Sequence, residues 1–161
     1  MGEQRELSGA EEQTVTVKSP HRPHKAESVE GLLQWLRDLE GCPEVSRTVK
    51  VRCSNDTHGD EPATWFYVEA DAAEGVARLR CLACGRVKPI LDSDEHWTYP
   101  SVWSCGTCRQ SIAEVAYGVH AETGMATWMV LGVRCVDCGS VAGLTDLVVP
   151  GVPLEEFLAS L

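Results

Sequence analysis

The chain contains the sequence Arg134-Cys135-Val136-Asp137-Cys138-Gly139-Ser140-Val141. The same pattern occurs earlier, as Arg80-Cys81-Leu82-Ala83-Cys84-Gly85-Arg86-Val87. In both stretches an Arg precedes two cysteines separated by two residues, and a Gly follows the second cysteine. Two cysteines at this spacing can bind one metal ion from a tight turn, and Gly can adopt the positive φ that directs backbone amides toward the sulfurs. The pattern therefore predicts two metal-binding turns in two copies of a repeat.

The second copy begins with a further pair of cysteines, in Cys105-Gly106-Thr107-Cys108. Between its two cysteine pairs, residues 112–119 and 126–134 are rich in apolar and β-branched residues, and a Gly-containing turn joins them. This composition predicts a β-hairpin between two ligand-bearing turns. The predicted ligands of the second site are Cys105, Cys108, Cys135 and Cys138.

The first copy has the same layout, with a hairpin predicted from strands over residues 64–70 and 76–80. Cys53 takes the position of the first cysteine, and His58 stands near the position of the second. Three cysteines and one histidine are a common ligand set for structural zinc. The predicted ligands of the first site are Cys53, His58, Cys81 and Cys84.

The fourth ligand of the first site has an alternative in Cys42, which lies in a Gly-Cys-Pro turn before the first predicted strand. We favour His58, because structural zinc sites are rarely left with three protein ligands. We interpret Cys42 as a free thiol at the end of the preceding helix.

Zinc is the expected metal, with two ions per chain, because tetrahedral sites of thiolates and imidazole are typical of structural zinc. Iron is the alternative, since two Cys-x-x-Cys turns also describe a rubredoxin-like redox centre. The chain has eight cysteines. We interpret them as metal ligands rather than disulfides, because the N-terminal sequence has no secretory signal. The protein is expected to be cytoplasmic and not associated with a membrane.

Residues 48–98 and 99–150 each resemble a zinc ribbon, on the strength of these two ligand sets and their hairpins. The resemblance implies a fold and a metal but no specific activity. The first copy departs from the usual paired cysteines where Cys53 and His58 stand. A domain of about 50 residues is near the size at which a hydrophobic core alone is marginal. We therefore expect a strong chelator to unfold the chain.

Helices are predicted on both sides of the repeat. Residues 28–47 form an amphipathic helix and a turn, since apolar residues recur there at helical spacing. Residues 151–161 form a short C-terminal helical segment, and residues 1–27 have the composition of a disordered tail. The expected fold is mostly β, small and metal-stabilised: two tandem zinc β-ribbons with an N-terminal amphipathic helix and a short C-terminal helix.

The expected function is that of a zinc-binding adaptor or regulatory protein that acts through protein–protein contacts. A zinc ion with four protein ligands has no open position for a water molecule, so we do not expect an enzyme. The formal net charge is −10, which repels phosphate backbones and favours a protein partner over nucleic acid.

The alternative is a nucleic-acid-binding protein associated with transcription or translation. It rests on a group of basic side chains around the first metal-binding turn, beside an aromatic segment. The candidate interaction residues are Arg78, Arg80, Arg86, Lys88 and Trp65.

Overall fold

The computed structural model describes residues 24–71, 73–90, 93 and 97–161. Two α-helices, one 3-10 helix and eight strands occur in these residues. Their bounds are α1 (Val29–Arg37), β1 (Arg47–Lys50), a 3-10 helix (Asp56–His58), β2 (Phe66–Asp71), β3 (Val76–Cys81), β4 (Val87–Pro89), β5 (Ser101–Val102), β6 (Ile112–Glu122), β7 (Met125–Cys135), β8 (Val141–Pro153) and α2 (Leu154–Ser160).

The strands form an antiparallel sheet in the order β4-β3-β2-β6-β7-β8, with β1 and β5 paired to its inner strands. One edge of β6 is shared, because β2 pairs with its first residues and β1 pairs with residues 116–119. The two copies of the repeat therefore contribute to one sheet, whereas the sequence predicted two tandem ribbons. The strands themselves were predicted and only their pairing differs, since the β6 residues that pair with β1 and β2 all lie within the predicted strand 112–119.

Strand β8 pairs with β7 over most of its 13 residues and was not predicted from the sequence. Gly143, Pro150 and Gly151 interrupt its apolar pattern, and Gly and Pro are depleted in strands. The pairing is irregular at two places along β7, where the register shifts. Strands β4 and β5 are both very short.

The sheet has an apolar core on each face. The larger core contains Val68, Leu79 and Leu131, and Phe157 of α2 is buried in it. Helix α1 packs on the opposite face, where Leu32 and Leu36 are fully buried. No helix among the described residues is long and apolar enough to cross a membrane.

Gly132 of β7 permits the close approach of α1 to the sheet. A Cβ atom at this position would lie 2.9 Å from Cδ2 of Leu36. This distance is shorter than normal van der Waals contact, so the helix packs directly on the backbone of the strand. The contact connects the amphipathic stripe of α1 to the second copy of the repeat.

Replacing Leu36 with alanine is expected to destabilise the fold by about 2–5 kcal/mol, because the variant leaves a cavity under α1. Leu33→Ala is the matched control, since Leu33 is only partly buried in the same core. Urea unfolding at a fixed zinc concentration measures both variants. Equal loss of stability in the two would contradict the packing of α1 described above.

The buried carboxylate of Asp71 attaches residues 98 and 99, where the two copies meet, to the β2–β3 turn. Its oxygens accept hydrogen bonds from the backbone amides of Thr98 (2.9 Å), Tyr99 and Glu74 (3.4 Å). The pKa of Asp71 is lowered from its usual value, mainly by the hydrogen bond from the Tyr99 amide and further by those from the other amides. The carboxylate is therefore ionised at neutral pH and keeps all three hydrogen bonds.

Candidate metal centres

The four cysteines predicted for the second site lie together at one end of the β6–β7 hairpin. Their sulfurs are all within 4.8 Å of one another. The Cys105–Cys138 and Cys108–Cys135 Sγ–Sγ distances are both 3.5 Å. Tetrahedral zinc with bonds of about 2.3 Å requires sulfurs about 3.8 Å apart, whereas a disulfide requires about 2.05 Å. The spacing therefore fits four ligands of one metal ion and does not fit disulfides.

The first site has the same arrangement with one imidazole. The Nε2 atom of His58 lies 3.3 Å from the Sγ of Cys53 and 3.6 Å from the Sγ of Cys81. The Sγ atoms of Cys53 and Cys84 are 3.7 Å apart, and all four ligand atoms lie within 4.8 Å of one another. Zinc bonds of about 2.3 Å to sulfur and 2.05 Å to nitrogen give a nitrogen–sulfur distance of about 3.6 Å. The donor set and its spacing fit a tetrahedral metal ion.

The four halves of the two sites share one backbone feature. The residue that follows the second ligand has a positive φ in all four cases. The values are 66° at Gly59, 73° at Gly85, 68° at Arg109 and 75° at Gly139. In the closing turns, the amides of Gly85 and Gly139 donate to the carbonyls of Cys81 and Cys135, at 2.9 and 3.0 Å. Gly59 after His58 is a sequence signal that His58 is the second ligand of a metal-binding turn, and it was not used in the sequence analysis.

A short 3-10 helix places His58 beside the sulfurs. Asn55 precedes this helix, and its side-chain oxygen accepts a hydrogen bond from the Thr57 amide at 3.2 Å. Cys53 and Ala63 form an isolated antiparallel bridge that closes the loop containing the helix. The five-residue separation of Cys53 and His58 is accommodated by this extra turn, which was not predicted from the sequence.

Cys42 lies apart from both ligand sets. Its Sγ is 3.7 Å from the carbonyl oxygen of Leu39, and its side chain packs on the core that α1 covers. The structure therefore brings His58, rather than Cys42, to the sulfurs of the first site. His120 is not part of either site, and its Nδ1 lies 2.6 Å from the carbonyl oxygen of Glu44. His96 is outside the described residues.

The thiols in the two sites have divergent acidities. The backbone amide of Arg86 is the main cause that lowers the pKa of Cys84 to about 6, and the hydroxyl of Ser140 is the main cause that lowers the pKa of Cys138 to about 6. For Cys108 the amide of Gln110 lowers the pKa, but burial and the neighbouring sulfurs raise it to about 12. Neighbouring thiols cannot all ionise without a cation, and a bound metal supplies that positive charge.

The five candidate interaction residues do not form one patch. The guanidinium of Arg78 is paired with the carboxylate of Glu69, and its carbon lies 4.7 Å from the ring centre of Trp97. Arg80 and Arg86 are exposed. Strand register pairs Arg80 with Val87 and Leu79 with Lys88, so Arg80 and Lys88 lie on opposite faces of the sheet.

Trp65 is 49% exposed and lines a shallow groove beside His58. The register of β3 against β4 is the physical reason for this dispersal, because it places Arg80 opposite Val87 and Lys88 opposite Leu79.

Replacing His58 with alanine is expected to lower the metal content from two ions per chain to one, because the first site would keep only three ligands. Cys42→Ser is the control and is expected to retain two ions. Native mass spectrometry of zinc-loaded protein measures both variants. A variant without His58 that still holds two ions would contradict the assignment of this side chain as a ligand.

The fold and the two ligand sets define a mostly β protein with two groups of side chains that could hold metal ions. No protein-family model, curated protein or solved structure matches the chain in comparisons with known proteins.

Proposed function

We propose that this chain is a zinc-binding adaptor, in which two structural zinc ions stabilise one sheet that contacts another protein. The observation that carries the proposal is the presence of four ligand atoms within 4.8 Å of one another in each site. Structural zinc sites are closed in this way, whereas catalytic sites have three protein ligands and an open position. Both ions would therefore act on the fold rather than on a substrate, and we propose that the protein is not an enzyme.

Zinc is favoured over iron at the first site, because three cysteines and one histidine are a usual set for structural zinc. The second site has four cysteines and fits either metal. We also propose a cytoplasmic location, where thiols remain reduced and can bind metal. Metal analysis of protein purified without added metal would distinguish two zinc ions from iron at the second site.

Exposed apolar side chains support a protein partner. Among the described residues, four large exposed apolar side chains lie on or next to the first-copy half of the sheet. These are Trp65, Val87, Tyr99 and Val102, which are 49%, 39%, 78% and 55% exposed. Exposed apolar and aromatic groups are common in protein-binding sites, where Trp and Tyr contribute much of the binding energy.

The partner experiment compares two variants in the zinc-loaded protein. Val102→Asp places a charge among these exposed side chains, and Val148→Asp makes the same change at an 86%-exposed position on β8. We expect the wild-type protein and Val148→Asp to retain one stoichiometric partner, and Val102→Asp to lose it. Failure of the wild-type protein to retain any partner, or equal retention by both variants, would contradict the adaptor proposal.

Nucleic-acid binding is a second candidate, supported by one observation. Tyr67 and Arg80 are directly paired across β2 and β3, so an aromatic ring and an exposed guanidinium are neighbours on one face. Such pairs can stack on bases and contact phosphates. The test measures binding to a thymidine oligonucleotide. Affinity that falls steeply as salt rises, and that Arg80→Glu lowers more than Arg109→Glu does, would favour this function over the adaptor.

A further inference from the structure

A cavity lies between residues 51–54 and strands β3 and β4, next to the first metal site. Its volume is about 270 Å³. The floor is apolar and belongs to the larger core: Val51, Phe66 and Leu79 are 5%, 3% and 0% exposed. The cavity therefore opens at the surface and ends against closely packed side chains of the core.

The walls of this cavity carry positive charge. Arg52, Arg86 and Lys88 line it, and none of the described lining residues is acidic. The chain as a whole has 24 acidic and only 14 basic residues. A cavity lined by three basic and no acidic side chains therefore has the opposite sign of charge to the chain as a whole. Strand register explains part of the grouping, because Lys88 is paired with Leu79 and lies on the same face as this core residue.

Carboxylate side chains in the described part of the chain form no ion pair with these three groups. Its ion pairs join Lys50 to Glu30, Arg78 to Glu69, and Arg134 to Glu114. The Nζ of Lys88 donates to the main-chain oxygen of Leu161, so we do not count its charge toward the cavity. The guanidinium groups of Arg52 and Arg86 are exposed and are the principal donors for a ligand.

The adjacent metal site balances only part of this charge. Cys53 and Cys81 line the cavity and belong to the first ligand set. A zinc ion bound by three thiolates and a neutral imidazole has a formal charge of −1, whereas the guanidinium groups of Arg52 and Arg86 sum to +2. A net positive charge over an apolar floor therefore persists when the metal is bound.

We propose that this cavity binds a small organic anion, a carboxylate attached to a short apolar body. The guanidinium groups of Arg52 and Arg86 would bind the carboxylate, since Arg presents paired donors that match carboxylate geometry. The apolar body would contact Val51 and Phe66, which line the cavity. The volume is near the lower end of small-molecule sites, so it fits a compact ligand and excludes folded partners.

The test is an NMR titration of the zinc-loaded chain with sodium octanoate, and with 1-octanol and octylammonium as probes of the same length. We expect octanoate to shift the amide signals of residues 51–54 and 86–89. Its Kd is expected to be at least tenfold lower than those of the two other probes. The proposal would be overturned if octanoate shifted amide signals of other residues only, or if octanol bound with the same Kd.

The matched variants change the same charge inside and outside the cavity. Arg52→Glu combined with Arg86→Glu is expected to raise the Kd of octanoate at least tenfold. Arg80→Glu combined with Arg109→Glu is expected to leave it unchanged, because neither residue lines the cavity. Equal Kd values for the two double variants would overturn the proposal.

Zinc content is measured on every sample. If the combination of Arg52→Glu and Arg86→Glu loses metal, the combination of Arg52→Gln and Arg86→Gln is used in its place. A wild-type chain with two zinc ions and no octanoate binding would overturn the anion site alone. A chain without zinc would instead contradict the metal-binding proposal.

Discussion

Replacing Cys135 with serine is expected to remove one of two zinc ions and to unfold most of the sheet at room temperature. Cys135 is fully buried at the end of β7 and is paired with Ala113 of β6. Its Sγ lies 3.5 Å from that of Cys108, so the second metal would join the β6–β7 hairpin to the preceding turn. Serine removes this thiolate ligand and leaves three.

The expected magnitude follows from the size of the metal contribution. Apparent zinc binding supplies about 10–16 kcal/mol in small zinc-dependent domains, and complete domains are stable by only about 5–15 kcal/mol. Loss of one ion can therefore exceed the whole free energy of unfolding. Because β7 pairs with both β6 and β8, disruption at its end is expected to spread through the centre of the sheet.

Native mass spectrometry and far-ultraviolet circular dichroism measure this result, with Cys42→Ser as the control. Cys42 is also partly buried, but it lies with Leu39 rather than in a ligand set. The control is expected to keep two zinc ions and to lose no more than about 1 kcal/mol. A Cys135→Ser variant that melts at the wild-type temperature would show that the apolar core maintains the sheet without the second metal.

The ligand sets could be predicted from the sequence because ligand spacing is a local property. A pair of cysteines separated by two residues already specifies a turn, and the repeated pattern assigns each pair to its copy. The place of His58 followed from the repeat, although the 3-10 helix that positions it did not. The structure brings together the same eight side chains that the repeat assigned to two sites.

The joining of the two copies could not be predicted in this way. It depends on pairing between β6 and two strands of the first copy, which are distant in sequence. No local pattern specifies such a partner, since the apolar alternation of a strand does not identify its neighbour. The basic residues illustrate the same limit, because only the register of β3 and β4 shows that Arg80 and Lys88 lie on opposite faces.

Replacing Gly139 with alanine is expected to destabilise the fold far more than the same change at Gly85. The two glycines occupy equivalent positions after the second cysteine of each closing turn, with φ values of 75° and 73°. Alanine at a positive φ costs about 1–2 kcal/mol, and both variants incur this strain. The difference between them lies in what the new methyl group would contact.

A Cβ at Gly139 would lie 2.7 Å from the backbone carbonyl oxygen of Ala26, whereas a Cβ at Gly85 has no atom within 4 Å among the atoms compared. The Ala26 amide donates to the Gly139 carbonyl at 2.9 Å, and Nε of Arg134 donates to the Ala26 carbonyl at 2.7 Å. Displacing Ala26 would weaken both hydrogen bonds, each worth about 0.5–1.5 kcal/mol. Gly139→Ala is therefore expected to cost about 2–5 kcal/mol, against about 1–2 kcal/mol for Gly85→Ala.

Urea unfolding with zinc in excess measures the two variants, and zinc content is determined for each. A larger loss of stability for Gly139→Ala with both zinc ions retained would show that the segment before α1 is attached through this turn. Equal losses would mean that only the positive φ matters at the two positions. In that case residues 24–27 would contribute little to stability, and the hydrogen bonds of Arg134 to Ala26 and Glu27 would be energetically minor.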